Sequence, residues 1–147
     1  MKGLIQRVSE ASVVTGGERI ASIDAGLLLL LGVERGDGRA QVGKLCRKIL
    51  AYRVFPDDQG RMNRSLIDIG GSLLIVPQFT LAADTASGTR PGFSCAAGPE
   101  LASELFDSFL AEAQAKLGRE RVEGGRFGAD MKVHLVNDGP VTFLLEV

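Results

Sequence analysis

The chain has 147 residues, 45% of them hydrophobic and 24% charged, which is the composition of an ordinary globular domain. Its formal net charge of −1 gives no global electrostatic reason to expect binding to nucleic acid, and we expect neither DNA nor a membrane as a partner. The longest apolar run, residues 27–31, is far shorter than the ~18 residues of a membrane span. Residues 1–8 also lack the apolar stretch of an export signal, so we expect a cytoplasmic protein.

The first half of the chain predicts strands followed by one helix. Residues 4–9 and 11–15 are β-prone, and Gly16-Gly17 predicts a hairpin turn into a strand over 19–23. Residues 27–33 form a continuous apolar run, typical of a strand that is buried on both faces. Residues 40–53 then carry apolar side chains at helical spacing, namely Val42, Leu45, Cys46, Ile49 and Leu50.

The second half predicts further strands around one more helix. A turn over 56–60 is followed by a possible short strand over 65–69 and a buried strand over 73–76 that ends at Pro77. Residues 83–98 are predicted to form a long loop, and Pro99 begins a second amphipathic helix that ends near Gly118. Strands over 131–136 and 141–147 are separated by a predicted turn, Asn137-Asp138-Gly139-Pro140.

These elements predict an α+β fold. The order ββββ-α-ββ-α-ββ, with no linker and no internal repeat, indicates one domain over residues 1–147. We expect a mainly antiparallel sheet, curled like a barrel and packed with two helices.

Charge is distributed unevenly along this nearly neutral chain. Residues 44–64 carry six bases against Asp57 and Asp58, a net charge of +4, and residues 99–114 carry four acids and no base. Two interpretations stay open: these are the solvated faces of helices, or the basic stretch attracts a polyanion.

The cysteines and the single histidine limit the chemistry. Cys46 and Cys95 lie 49 positions apart without a CxxC motif, which argues against a zinc ribbon or a disulfide framework. His134 is the only imidazole, so one chain cannot build a histidine-rich metal site, and a lone histidine on a strand is more often a surface residue than a catalytic base. Thr80 and Ser72 flank the buried strand and Cys95 lies in the long loop, but nothing nearby in sequence would activate them.

Two segments at strand ends do not look like pure scaffold. In Pro77-Gln78-Phe79-Thr80 a proline closes a buried strand and polar residues follow at once. In residues 137–142 a Gly-Pro pair lies between two strands. Each segment alone is compatible with ordinary turn chemistry, but loops at strand ends also leave backbone groups free to bind a ligand.

Taken together, these segments resemble the D-aminoacyl-tRNA deacylases, and the resemblance covers essentially the whole chain. It lies in the stretches LIQRV (4–8), AGLLLLLGVE (25–34), YRVFPDDQGRMN (52–63), QFTLAADT (78–85), RPGFS (90–94), GRFGADM (125–131) and NDGPVT (137–142).

The resemblance implies an enzyme that hydrolyses the ester between a D-amino acid, or mischarged glycine, and the 3′-terminal adenosine of tRNA. It implies a homodimer with its active sites at the subunit interface, and no metal or organic cofactor. Gln78, Phe79 and Thr80 correspond to the family's catalytic pocket. Gly139 and Pro140 correspond to a Gly-Pro pair with a cis bond that enters the partner's pocket and excludes L-amino acids.

Further residues are assigned by the same resemblance. Val141 and Thr142 continue the Gly-Pro motif, and Arg7 is expected to hold its loop through carbonyl groups. Pro77 departs from the family pattern, which usually has serine there, so a hydroxyl that could contact the substrate is absent. This departure weakens the expectation of strict D-specificity.

The implied chemistry suits these residue types. Backbone N–H groups near Phe79 and Thr80 could hold the oxyanion, and the tRNA 2′-hydroxyl could position water. Contact with tRNA is expected from the basic stretch over 44–64. Two other hypotheses are a non-catalytic module that binds aminoacyl-tRNA or D-amino acids, and a conventional hydrolase with a Thr80 or Cys95 nucleophile.

Overall fold

The computed structural model describes residues 1–147. Its strands are β1 (Lys2–Thr15), β2 (Glu18–Ile23), β3 (Gly26–Gly32), β4 (Phe55–Pro56), β5 (Met62–Arg64), β6 (Ser72–Pro77), β7 (Val122–Gly124) and β8 (Lys132–Glu146). Its α-helices are α1 (Arg39–Leu50), α2 (Leu66–Ile69) and α3 (Pro99–Leu117), and two 3-10 turns cover Phe79–Ala82 and Arg119–Arg121.

Strand β1 organises the main sheet because it is long enough to pair with three others. Its first half pairs antiparallel with β3, its second half with β2, and almost all of it with β8. The remaining strands extend the sheet in the order β2-β1-β3-β6-β7. With β8 on the other side of β1, the sheet curls into a nearly closed barrel, which confirms the predicted α+β, barrel-like class.

The sheet is mixed rather than mainly antiparallel. β3 pairs parallel with β6, and β6 pairs parallel with β7. Each of these connections crosses over through helices, through α1 and α2 in the first case and α3 in the second, as parallel neighbours require. The continuous burial of β3 and β6 is typical of such strands, because helices cover one face and the barrel interior the other.

The predicted helices α1 and α3 cover one face of the sheet and bury their apolar sides there. The central side chains of this core include Leu45, Ile49 and Phe109, all fully buried. Cys46 belongs to the same cluster, and burial raises the pKa of its thiol to about 11. This thiol is therefore a core group and not a nucleophile. None of the helices is long and apolar enough to cross a membrane.

Several predicted boundaries are correct. Gly16 and Gly17 form the first hairpin turn with positive φ, Pro99 opens α3, and Gly118 follows its last residue. α1 ends at Leu50, three residues earlier than predicted.

Other predictions are wrong. Residues 65–69 are not a strand: Ser65 caps the short helix α2 through its hydrogen bonds with Asp68, so the fold has three helices. The segments 4–9 and 11–15 are one strand, β1. The hairpin β4–β5 and the short strand β7 were not predicted.

The predicted turn at residues 137–140 is also wrong, because residues 132–146 form the single strand β8. Both halves of β8 pair with the same strand, β1. The register of this pairing shifts on both sides of Val8, so β8 has more residues than β1 between its two paired halves. Residues 137–142 therefore bulge from a continuous strand, where a hairpin turn would have reversed the chain.

Substitution of Gly26 tests the parallel pair that carries the loop after β6. A Cβ at Gly26 would lie 1.9 Å from the Ser72 carbonyl oxygen, whereas one at Gly36 would have no neighbour within 4 Å. We expect Gly26→Ala to lower the free energy of unfolding by about 3 kcal/mol or more, because backbone must move. Gly36→Ala is the matched control. Urea denaturation giving equal midpoints for both variants would contradict this packing.

Candidate functional site

The loop after β6 begins where the parallel pairing of β3 with β6 ends. Gln78 donates its backbone N–H to the Leu31 carbonyl, at 2.8 Å, and the chain then turns into the 3-10 turn at Phe79. The first hydrogen bond of that turn runs from the Leu81 N–H to the Gln78 carbonyl. The N–H groups of Phe79 and Thr80 open the turn and have no partner inside it. They are donors that a ligand can use.

The side chains of this loop are exposed or engaged with each other. The Gln78 side-chain amide donates to the Thr80 hydroxyl. The Phe79 ring is 58% exposed and packs against the ring of Phe93, with centroids 5.2 Å apart. An exposed aromatic pair beside free backbone donors is typical of a binding surface.

A cleft of about 540 Å³ opens beside this loop. Pro77, Gln78 and Phe79 form one side, the start of α3 a second, and the connector before β8 a third. Most of the lining is apolar, and the complete set is Val76, Pro77, Gln78, Phe79, Ala97, Pro99, Ala102, Phe127, Gly128, Ala129, Asp130, Met131 and Val133. Such a cleft suits a small organic group held by a few polar contacts.

The second predicted motif protrudes from β8. Gly139 and Pro140 are exposed and joined by a cis peptide bond. Gly139 has φ +141°, and a Cβ there would lie 2.7 Å from the Val141 side chain and 3.2 Å from the Arg7 guanidinium. Only glycine fits this position without strain.

Asn137 and Thr142 brace the two ends of the bulge. The Asn137 side-chain oxygen accepts the Val141 N–H at 2.8 Å, and its amide donates to the Thr142 hydroxyl at 2.9 Å. Gln6 on β1 donates to the same hydroxyl at 3.3 Å. The loop is therefore held by side chains on both strands, so Gly139 and Pro140 are presented in one orientation.

Arg7 ties this loop to the body of the protein. Its Nε donates to the Asp138 carbonyl at 2.9 Å, and its Nη1 donates to the Val54 carbonyl at 2.7 Å. Its side chain is only 13% exposed and lies 3.4 Å from the Asp138 carboxylate. The contact predicted for Arg7 is thus made to the carbonyl of Asp138, the residue before Gly139.

The two motifs do not meet within one chain. The strand order β8-β1-β3-β6 places three interstrand spacings between them, about 14 Å across the sheet. Through Leu31, Pro77 lies in the same row of the sheet as Gly3 of β1, whereas the Gly139–Pro140 loop lies beside Arg7 of β1. The distance between Gly3 and Arg7 adds an offset of about 13 Å along the strands. Accordingly, none of residues 137–142 lines the cleft.

No conventional nucleophile is paired with a base. The only hydrogen-bond partner of the Thr80 side chain is Gln78. Ser72 lies at the opposite end of β6, and Cys95 is exposed in the long loop, where its nearest polar partner is Ser94. His134 lies on β8 and does not line the cleft. Nowhere do three metal-ligating side chains converge.

The basic stretch divides into two parts. Lys44, Arg47 and Lys48 are exposed on α1, and Lys48 donates to the Glu146 carbonyl. Around the β4–β5 hairpin, Arg64 pairs with Asp58 at 2.7 Å. Its role in binding tRNA stays a prediction.

The roles of three residues in or around the two motifs were missed by sequence reasoning. Asn137 could have been found, because asparagine before a Gly-Pro pair commonly bonds to its own backbone. Phe93 lies in a stretch that carried the resemblance, but its contact with Phe79 depends on how the long loop folds back. The role of the Val54 carbonyl could not have been predicted from the sequence, because every residue has a backbone carbonyl.

Comparisons with known proteins agree with these motifs. The family model described as D-Tyr-tRNA(Tyr) deacylase matches residues 4–146. A D-aminoacyl-tRNA deacylase of Marinobacter nauticus is 69% identical over 146 residues, which cover 99% of this chain and 94% of the relative. A D-aminoacyl-tRNA deacylase of Pseudomonas putida strain W619 is 60% identical over the full length of both chains.

Solved structures share the fold. One described as c-Myc DNA Unwinding Element Binding Protein has a TM-score of 0.96 and 40% identity, covering 100% of this chain and 99% of its own. Another, a probable eukaryotic D-amino acid tRNA deacylase, has a TM-score of 0.83, and the alignment covers 99% and 98% of the two chains. At 15% identity, this second likeness shows the fold alone.

Substitution of Arg7 tests how the Gly139–Pro140 loop is held. Arg7→Lys keeps the charge but cannot span two carbonyls, so we expect faster amide hydrogen exchange at residues 138–141 and a loss of about 1–2 kcal/mol in unfolding free energy. Arg39→Lys, in an exposed pair with Glu104, is the control and should change neither. Unchanged exchange in Arg7→Lys would show that the loop does not depend on this contact.

Proposed function

Because the chain belongs to the D-Tyr-tRNA(Tyr) deacylase family, we propose that it selects its substrate by main-chain contacts from a Gly139–Pro140 loop. The enzyme is a D-aminoacyl-tRNA deacylase, a hydrolase that acts in translation proofreading. The observation that carries the proposal is the exposed Gly139–Pro140 backbone, which Arg7 and Asn137 hold in one orientation.

The active site forms between two copies of the chain in this proposal. In one protomer the loop and the cleft lie apart, yet the loop protrudes and the cleft is open. A two-fold dimer can insert each loop into the partner's cleft, and symmetry then produces two identical sites. Exposed apolar side chains away from the second cleft support such a contact: Leu144 on β8 is 53% exposed, and Phe79, 58% exposed, lies beside the first cleft.

Backbone atoms suit the discrimination of chirality across many amino acids. If carbonyl groups of the loop bind the α-amino group, and the ester carbonyl is fixed at Phe79 and Thr80, only one direction remains for the side chain. A D side chain then points into the open cleft, and an L side chain collides with the loop. Glycine has no side chain to exclude, so this arrangement accepts glycyl-tRNA as well. Gly139 permits the close approach because it has no Cβ.

Hydrolysis of the ester requires little from the side chains. The free N–H groups of Phe79 and Thr80 can hold the developing oxyanion, usually the largest contribution in acyl transfer. The vicinal 2′-hydroxyl of the terminal ribose can position the attacking water. The Thr80 hydroxyl, bonded to Gln78 with no base beside it, has a structural role in this mechanism.

Pro77 replaces a usual serine at the rim of the cleft. Its ring lines the apolar wall and offers neither a hydroxyl nor an N–H. We propose that selection by the loop does not need this hydroxyl, so D-specificity is retained.

Two other functions are less well supported. A non-catalytic module that binds aminoacyl-tRNA would need none of the free donors at Phe79 and Thr80. One solved relative is described as a DNA unwinding element binding protein, but the family model and the curated relatives are described as tRNA deacylases. The enzyme is expected to act in the cytoplasm, where its aminoacyl-tRNA substrates are used.

Parallel hydrolysis of three charged tRNAs tests the proposal. We expect the purified chain to cleave D-tyrosyl-tRNA and glycyl-tRNA rapidly and to leave L-tyrosyl-tRNA untouched, without added metal or cofactor. Light scattering of the same sample should give the mass of a dimer. An L rate close to the D rate would overturn selection by the loop, and binding without turnover would support the non-catalytic module.

Truncation of Thr80 tests the role of backbone donors. We expect Thr80→Ala to keep most of the D-tyrosyl-tRNA activity, because its N–H group remains. Cys95→Ala is the matched test of the other nucleophile and should also stay active. A loss beyond about a hundredfold in either variant, with an unchanged circular dichroism spectrum, would identify that side chain as the nucleophile.

A further inference from the structure

A second cleft, of about 540 Å³, lies on the outer face of strands β1, β2 and β8. Its polar lining residues are Glu10, Ser12, Arg19, Ser22 and His134. It shares no lining residue other than Val133 with the cleft beside Phe79. This cleft holds the only imidazole of the chain, which the proposed mechanism does not use.

The strand register orders these side chains into rows. Ser12 pairs with Ser22 on one side and with His134 on the other, so two hydroxyls and an imidazole form one row across three strands. The next row in one direction contains Arg19 and Lys132, both paired with Val14. Rows on one face are about 7 Å apart. Two cations therefore lie together in the row next to the row of hydrogen-bonding side chains.

The opposite end of the face is acidic. Glu10 pairs with Val136, one row beyond Ser12 in the other direction. The face thus changes from cationic to acidic over about 14 Å. A ligand that bridges it needs a negative group at one end and hydrogen-bond donors at the other.

None of these side chains is engaged within the protein. Glu10, Arg19, Lys132 and His134 take part in no ion pair. Other cations of the chain, such as Lys2, Arg7 and Arg64, are paired with carboxylates. The charges on this face are therefore free to meet a ligand without breaking internal contacts.

The cleft continues from the loop that we place at the ester. Val136 lines it and lies three residues before Gly139 on the same strand. Lys132, His134 and Val136 alternate along β8 and are all exposed, so they share one face, which leads to the bulge that carries Gly139 and Pro140. His134 lies about 17 Å from Gly139 along the strand, a distance that a short run of unpaired nucleotides spans.

We propose that this cleft binds the phosphodiester backbone of the single-stranded 3′ end of tRNA, an inference that rests on the proposed deacylase function. The Arg19 guanidinium and the Lys132 ammonium attract the phosphate, and Ser12, Ser22 and His134 donate hydrogen bonds to its oxygens. Glu10, at the end closer to the ester, accepts a hydrogen bond from a ribose hydroxyl. The substrate then extends along the protomer whose loop enters the partner's cleft.

A pair of substrates separates this role from a general loss of activity. D-Tyrosyl-tRNA carries the phosphodiester chain, whereas 3′-O-D-tyrosyl-adenosine carries the same ester without it. We expect Arg19→Ala and His134→Ala each to raise KM for D-tyrosyl-tRNA about fivefold, with kcat unchanged, and the double variant to raise it further. Neither substitution should change the rate on the aminoacyl-adenosine. Arg119→Ala, an exposed arginine outside both clefts, is the matched control.

Salt dependence supplies a readout that does not require turnover. For uncharged tRNA, the slope of log Kd against log salt should fall by about 0.7–0.9 for each phosphate contact that is lost. We expect this reduction in Arg19→Ala and not in Arg119→Ala.

The outcomes keep the two proposals apart. If wild-type protein cleaves neither substrate, the proposed function fails. If wild type is active but the cleft variants bind tRNA as it does, only the present inference fails. Equal losses on both substrates, or a change of oligomeric state by light scattering, would also overturn it, because the cleft would then support the active site or the contact between copies.

Discussion

Two hydrogen bonds from one guanidinium hold the Gly139–Pro140 loop, the part of the structure on which selectivity depends in our proposal. Arg7 donates to the Asp138 and Val54 carbonyls, and so joins the bulge of β8 to the chain after α1. A loop that selects by main-chain atoms must be rigid, since a small displacement would let the wrong side chain enter. Arginine suits this role because its planar, permanently charged group can bridge two acceptors.

The rest of the fold can be understood as support for two exposed loops. β1 holds the Gly139–Pro140 loop through its irregular pairing with β8, and the parallel pair β3–β6 carries the free donors at Phe79 and Thr80. The loop after β6 follows the buried residues Ile75 and Val76, and the bulge of β8 is braced by Asn137 and Thr142, which limits the motion of both loops. In the proposed mechanism, selection and catalysis therefore depend on backbone geometry, and the side chains around it serve to hold that geometry.

The absence of a nucleophile–base pair agrees with a mechanism in which backbone groups, and not side chains, act on the substrate. The ester of an aminoacyl-tRNA is already reactive, so oriented donors and a neighbouring hydroxyl are sufficient in the mechanism proposed. The charge of the protein is also arranged locally. A chain with a net charge of −1 has no global attraction for RNA, and in our proposal local rows such as Arg19 and Lys132 beside Ser12 and His134 provide it.

The residues alone determined the amphipathic helices, the Gly16-Gly17 hairpin, the buried strand β3 and the end of the next buried strand at Pro77, because periodicity and turn chemistry are local properties. Tertiary structure decided which strands pair. Buried strands look alike in parallel and antiparallel sheets, and the turn composition of residues 137–140 concealed a bulge that only pairing with β1 reveals. The contacts of Arg7 with Val54 and of Phe79 with Phe93 were likewise decided by the fold, since they join residues far apart in the chain.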